Sequence, residues 1–164
     1  MLLRAATPDD VPIVLSFIRQ LAAYEKLSHE VEATEETLRA TLFPVGGRTV
    51  AECILAFEGG APAGFALYFL TYSTFLAKPG LYLEDLFVVP ERRGRGIGKA
   101  LILHLARLAS DRGYGRMEWA VLDWNEPSIG FYKKLGAATL DDWTTMRLTG
   151  DALLRLGEKS GIGN

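Results

Sequence analysis

Two adjacent carboxylates, four basic residues and three glycines crowd one short stretch: Glu84-Asp85-Leu-Phe-Val-Val-Pro-Glu-Arg92-Arg93-Gly94-Arg95-Gly96-Ile97-Gly98-Lys99. The second half has the chemistry of an anion site. Glycines reach backbone angles closed to other residues and let an anion approach the main chain. A helix that starts just after them offers free N–H groups and partial positive charge. Arg92, Arg93, Arg95 and Lys99 add charge, so the turn is suited to phosphate.

Three phosphate motifs compete for this turn. A P-loop needs glycine at position 93 and Ser or Thr after the lysine, where Arg93 and Ala100 stand. A dinucleotide-binding GxGxxG needs glycine at 99 or 101, where Lys99 and Leu101 stand. Arg-x-x-Gly-x-Gly, at Arg93, Gly96 and Gly98, fits. An exposed basic turn without a ligand is the alternative. The position of the turn, after an apolar strand and at the head of an amphipathic helix, favours the ligand. The net charge is −2, and nucleic-acid binding wants a broad basic face. A local cationic spot on an acidic protein suits a small polyphosphate.

Glu84 and Asp85 lie in an otherwise apolar strand, Leu81 to Val89. Carboxylates there cost energy unless cations, water or donors meet them. Neighbours on a regular strand face opposite sides. One should therefore enter a ligand site and the other the far side, unless a bulge re-aims them. A structural salt bridge is the alternative for either.

The elements that must position these groups follow from periodicity and punctuation. Leu2 to Ala5 predicts a first strand. Thr7-Pro-Asp-Asp10 reads as a helix start, with helical spacing from Val11 to Ala22. A second helix is expected from Thr34 to Leu42 or Phe43, ended by Pro44 and Gly46-Gly47. Thr49–Phe57 and Ala61–Tyr72 read as a hairpin around Glu58-Gly59-Gly60. Ser73 to Gly80 is a loop. The helix after the glycine turn runs from about Gly96 to Arg112, with Gly113 as its stop. Met117 to Leu122 is a strand, Pro127 to Leu135 a short helix closed by Gly136, and Trp143 to Leu148 a last strand. The end, with Gly157, Gly161 and Gly163, is expected to fray. The order β-α-α-β-β-β-α-β-α-β gives an α/β (mixed α+β) fold. One domain over residues 1–164 has a mixed sheet with helices on both sides. The hydrophobic fraction of 49% is that of a globular protein. No apolar run has the ~18 residues of a membrane span, and Arg4, Asp9 and Asp10 interrupt any leader-like start. Cys53 is the only cysteine, which makes a reducing, cytoplasmic setting the expectation.

The Arg93–Gly98 turn, in this position, resembles the pyrophosphate signature of the Gcn5-related N-acetyltransferase superfamily. Tyr82-Leu-Glu-Asp-Leu-Phe-Val, Asp123-Trp-Asn-Glu-Pro-Ser-Ile-Gly-Phe-Tyr-Lys-Lys-Leu-Gly-Ala137 and Leu21-Ala-Ala-Tyr-Glu25 resemble the diamine acetyltransferases, the spermidine/spermine and thialysine group. The resemblance covers nearly the whole chain. It implies that superfamily's fold, a mostly antiparallel central mixed sheet flanked by helices. It also implies a homodimer, acetyl-CoA as co-substrate and a small-molecule primary amine as acceptor. The net charge, the lack of a long apolar run and the single cysteine make nucleic acid, membrane and metal unexpected as partners.

An amine attacks a thioester only as the free base, and holding a lysine-like amine neutral at pH 7 costs about 4 to 5 kcal/mol. The site therefore needs a route for that proton and a donor for the departing thiolate. Tyr132 matches the family's catalytic tyrosine and is the expected general acid. A core aromatic is the alternative, since Ile129, Tyr132 and Leu135 share a helical stripe. The family uses both strand acids for substrate amines or proton relay; proton removal, through water, is expected of Glu84 and acceptor binding of Asp85. Tyr24 and Glu25 match a family acceptor-binding pair, and Trp119 and Asp141 or Asp142 are expected as further lining. The resemblance assigns the backbone of Leu86, Phe87 and Val88 to the pantetheine arm. Arg93, Gly94, Arg95, Gly96, Ile97, Gly98 and Lys99 are assigned to the pyrophosphate. Asn125 and Ser128 cap the short helix and touch the cofactor, together with Tyr132; capping alone also explains Asn125. Cys53 reads as a small core residue rather than an acyl carrier.

Ala120-Val-Leu-Asp-Trp124 resembles the thialysine branch and Asn125-Glu-Pro-Ser-Ile129 the polyamine branch, so the acceptor stays open between diamino acid and polyamine. A protein lysine or N-terminal acetyltransferase, and a non-catalytic acyl-CoA-binding module, are the rival readings.

Overall fold

The computed structural model describes residues 1–158. It falls into two compact units, Met1–Ala120 and a second that begins at Val121. The first carries one five-stranded sheet in sequential order: β1 (Leu2–Ala5), β2 (Glu52–Glu58), β3 (Ala61–Ser73), β4 (Lys78–Val88) and β5 (Met117–Trp119). The first three pairings are antiparallel, and the last, β4 with β5, is parallel. This is the mostly antiparallel mixed sheet expected from the sequence. The parallel step needs a crossover, supplied by α3 (Ile97–Asp111).

Helix α1 (Val11–Tyr24) and helix α2 (Glu35–Leu42) precede β2. Asp10, buried at the head of α1, accepts two bonds from the Arg4 guanidinium at 2.6 and 2.8 Å. It also accepts from the Thr7 N–H and hydroxyl, each at 2.8 Å. These donors hold its carboxyl well below the usual carboxylate range and tie α1 to β1. Val14 and Phe17 of α1 and Leu42 of α2 pack on Cys53, Leu55, Phe65 and Phe87, one face of the sheet. The Phe17 ring lies 5.7 Å from Phe65 and 5.9 Å from Phe87. Residues of opposite parity, Ile54, Ala56 and Ala66, are buried too. The other face is covered by α3, which buries Ile97, Leu101, Ile102 and Leu105. Apolar residues at helical spacing on both layers thus account for the sandwich.

The strand order leaves one opening. β5 pairs with β4 only from Leu81–Met117 to Leu83–Trp119. Beyond Leu83, no strand among the described residues runs beside β4 on that side. Backbone groups of residues 84–88 that point there are open to a ligand. On the other side β3 approaches closely: a Cβ on Gly64 would stand 2.5 Å from the Phe87 carbonyl oxygen.

The second unit holds α4 (Glu126–Lys134) and α5 (Gly150–Glu158), and its end differs from expectation. Trp143–Leu148 forms no strand and is exposed. Its alternating residues have β-propensity, but propensity expresses itself through neighbours, and among the described residues this segment takes part in no strand pairing. Where fraying was expected, α5 forms. Ala152, Leu153, Leu154, Arg155 and Leu156 are strong helix formers. Asp151 and Arg155 pair across one turn at 3.9 Å. Gly161 and Gly163 lie outside the described residues. The strand expected to reach Leu122 stops at Trp119. No helix among the described residues is long and apolar enough to cross a membrane.

Candidate active site

The last turn of α1 closes with Glu25 N–H on Leu21 O at 2.9 Å and Leu27 N–H on Ala22 O at 2.8 Å. Lys26 takes a left-handed φ of 63°, and a 3-10 turn over Ser28–Glu30 follows. The chain here folds over a cavity of about 400 Å³. Ile18, Leu21, Ala22, Leu27, Val31 and Ala33 give it apolar walls, and Glu25, Glu30, Glu32 and Asp85 give it four carboxylates. Among the described residues, no lysine or arginine lines it. Burial, with the charges of Glu84 and Glu25 behind it, pushes the Asp85 carboxyl up to about 6. Burial likewise raises Glu25. An acidic cavity with an apolar floor attracts an alkyl ammonium: the carboxylates meet its charge and the walls its methylenes.

A bulge puts Asp85 there. Leu67 of β3 pairs with Asp85, but the next residue, Tyr68, pairs with Leu83, and Glu84 is the extra residue. Cross-strand partners share a face. Asp85 therefore follows Leu67 and Phe65 onto the α1 side, while Leu83 follows Tyr68 to the α3 side. Glu84 is exposed, close enough to Tyr82 for its charge to help raise that phenol. The bulge thus separates the roles of the two acids: one faces the cavity and the other solvent.

The donor-side features are continuous with this strand. After Val88, a 3-10 turn over Pro90–Arg92 leads into Gly94 at φ 76° and Gly96 at φ 82°, values that L side chains rarely adopt. The first bond of α3 runs from Ala100 N–H to Gly96 O at 2.9 Å. The N–H groups of Ile97, Gly98 and Lys99 precede it, as an anion cradle requires. A Cβ on Gly98 would meet only Val88 Cγ2, at 3.7 Å, so space lies above the turn. With the open edge of Leu86–Val88, the arrangement suits an extended ligand with a pyrophosphate at one end. The arginines are individually engaged. Arg92 and Arg95 reach the Glu58 carboxylate at 3.4 and 3.1 Å. Arg93 donates from Nε to Val88 O at 3.0 Å, with its guanidinium 4.7 Å from the Tyr24 ring. Lys99 is exposed.

In the second unit, Asn125 is buried and caps α4, its Oδ1 accepting from Ser128 N–H at 3.4 Å. Tyr132 lies on α4, half-buried, its ring 5.2 Å from Phe131. Gly136, at φ 94°, follows the helix. Asp142 is exposed on the irregular stretch after α4. In the first unit Trp119 is half-buried at the end of β5.

The first unit therefore brings Glu25 and Asp85 to one cavity, while the ring of the neighbouring Tyr24 lies against the Arg93 guanidinium. Glu30 and Glu32 were missed. They look like ordinary loop acids, and only their closeness to Glu25 in the chain hinted at more. Cys53 is buried and its thiol pushed up to about 12, which fits a core residue. A second cavity of about 430 Å³, by Met1, Arg4, Phe57 and Gly60, holds no carboxylate, and its arginine is bound to Asp10.

Residues 18–137 match the family model described as Acetyltransferase (GNAT) family. The chain belongs to this family. It is 39% identical to the thialysine N-epsilon-acetyltransferase of Sus scrofa, over 97% of this chain and 98% of that one. It is 35% identical to an L-ornithine N5-acetyltransferase of Arabidopsis thaliana, over 92% and 85%. An integron cassette protein from the mobile metagenome of V. cholerae shares the fold with a TM-score of 0.79, at 24% identity over 96% and 97% of the two chains. The family expected from the glycine turn is thus the family found. The protein is an acetyltransferase of the GNAT family, which uses acetyl-CoA as co-substrate.

Proposed function

We propose that the protein moves acetyl from acetyl-CoA to a primary amine of a small diamino acid or polyamine, by direct attack in a ternary complex. The observation that carries this reading is the cavity beside β4, lined by Glu25, Glu30, Glu32 and Asp85 with no opposing cation among the described residues. A second ammonium on the acceptor would sit there. The names of the relatives, which act on thialysine and ornithine, support a diamino acid. The charged residues described along the cavity are all acidic, which supports a polyamine, because they offer an acceptor carboxylate no cationic partner.

The residues present fit acetyl-CoA: an open strand edge at Leu86, Phe87 and Val88, then a backbone glycine cradle from Gly94 to Lys99. When bound, acetyl-CoA supplies the thioester that the free amine attacks. Asp85 and Glu25 hold the acceptor, and the family resemblance supports a part for Tyr24, Trp119 and Asp142 in binding it. Glu84, exposed at the bulge, takes the ammonium proton through water. Tyr132 gives a proton to the departing thiolate, a role supported by the resemblance of Phe131-Tyr132-Lys133 to the family's catalytic segment. Asn125 caps the helix that carries it, and Ser128 lies in its first turn. The same resemblance supports one functional domain over residues 1–164 and a homodimer. A single cysteine supports a cytoplasmic setting, and a net charge of −2 argues against nucleic acid as partner.

The test is release of free thiol from acetyl-CoA against ornithine, thialysine, lysine, spermidine, spermine, diaminopropane and a peptide. Turnover with one or more small amines is expected. Tight cofactor binding without turnover of any amine would favour a non-catalytic acyl-CoA binder. Turnover with the peptide alone would favour a protein acetyltransferase.

A further inference from the structure

The glycine turn carries an arginine whose side chain does not point away as a spare cation. The Arg93 guanidinium lies 4.7 Å from the Tyr24 ring centroid and 5.7 Å from that of Phe87. Its Nε–H is held by Val88 O at 3.0 Å. A cation within about 6 Å of a ring face is attracted by the ring quadrupole. Three elements therefore meet on one side chain: the end of β4, the turn that follows it and the last residue of α1. The next residue, Glu25, lines the acidic cavity.

We propose that Arg93 is a positioning residue for the acceptor side. Its side chain clamps Tyr24 and fixes the end of α1 against the glycine turn, while the backbone N–H groups of that turn serve the anion. The inference rests on the amine-acceptor reading. Arginine is required because the clamp uses a flat face and an Nε–H donor together, and lysine has neither. Charge alone, the property a phosphate contact needs, is common to both.

Arg93→Lys separates the two roles. Acetyl-CoA affinity is measured by calorimetry, and kcat and KM with ornithine and spermidine. We expect acetyl-CoA affinity within twofold of wild type and an acceptor KM raised about three- to tenfold, the scale of one lost cation–π contact, with kcat changed less. In a Tyr24→Leu background, which has no ring to clamp, the same change should move acceptor KM less than twofold. A loss of acetyl-CoA affinity with acceptor KM unchanged, or full additivity with Tyr24→Leu, overturns the inference. A wild type inert toward every amine overturns the parent reading, and the inference with it. An active wild type with the acetyl-CoA-side loss overturns the inference alone.

Discussion

Glu25 at the end of α1 and Asp85 on β4, far apart in the chain, line one cavity, and the charge of Glu25 helps hold the proton on Asp85. The unfolded chain ionises this aspartate near its ordinary value of about 4, whereas the folded chain holds the proton up to about 6. Folding thus takes up a proton between those values. The cost of charging Asp85 is absent below about pH 4 and complete above about pH 6. Stability should fall as pH rises through this window. Allowing for solvent at the cavity mouth, Asp85→Asn should stabilise the protein by about 2 kcal/mol at pH 7.5, or ~5 °C in Tm, with no gain at pH 4. Thermal unfolding at the two pH values checks this, and an equal shift at both would break the linkage.

The same titration should shape catalysis. kcat/KM reports the free enzyme, so its acidic limb should fall near pH 6 as Asp85 takes up its proton and binds the acceptor ammonium less well. A bound cation favours the ionised carboxylate, so the limb in kcat should lie lower. In Asp85→Asn the limb near pH 6 should be lost from kcat/KM, and the acceptor KM should rise. A limb that survives this substitution would belong to another group.

Glu30 and Glu32 give the cavity a negative rim, and a rim charge acts through a screened field. Glu30→Gln with Glu32→Gln should raise KM about two- to fivefold for spermidine at low salt. The effect should shrink at high salt. Ornithine, whose carboxylate the rim repels, should be affected less or bound slightly better. Competition between the two acceptors measures the change directly, and an equal effect on both would make the rim a bystander.

How far these features were legible in the sequence depends on what sets them. Helical periodicity marked α1 and α3, and Glu58-Gly59-Gly60 marked the β2–β3 turn, where Gly59 and Gly60 do take φ of 60° and 79°. The glycine turn was legible because its positive φ values at Gly94 and Gly96 demand that residue. The bulge was not. Glu84 looks like any strand residue until pairing with β3 skips it, and register is a property of two strands. Glu30 and Glu32 escaped because a loop acid reads as solvated until the fold sets it opposite Asp85. Trp143–Leu148 failed as a strand for the converse reason: its pattern is local, but a ladder needs a neighbour. Arg93 stood in the expected turn, while its contact with Tyr24 belongs to the packing of α1 and β4.

Close backbone packing beneath the open strand edge gives a stability prediction. Gly64 pairs with Val88, and an added Cβ would lie 2.5 Å from Phe87 O and 3.2 Å from Val88 Cα. Backbone cannot yield there as a flexible side chain would. Gly64→Ala should cost about 2 kcal/mol by overpacking, a drop of ~4 to 8 °C in Tm. Because the displaced residues, Phe87 and Val88, belong to the strand edge proposed for the pantetheine arm, acetyl-CoA affinity should weaken as well. Gly59→Ala, at a turn with open space around it, should leave acetyl-CoA affinity unchanged.

Tyr132 carries the last prediction, because its roles as acid and as packing residue separate cleanly. The ring is half-buried on α4 and close to Phe131, contacts that phenylalanine would keep. Only the hydroxyl is lost in Tyr132→Phe, so α4 and its Asn125 cap should persist. If the phenol protonates the leaving thiolate, kcat should fall about 100-fold or more, with acetyl-CoA affinity within a few-fold of wild type. A basic limb of the kcat profile set by loss of the phenolic proton should vanish with it. Aromatic packing alone predicts the opposite pattern: turnover and affinity would fall together, along with stability, and the basic limb would stay.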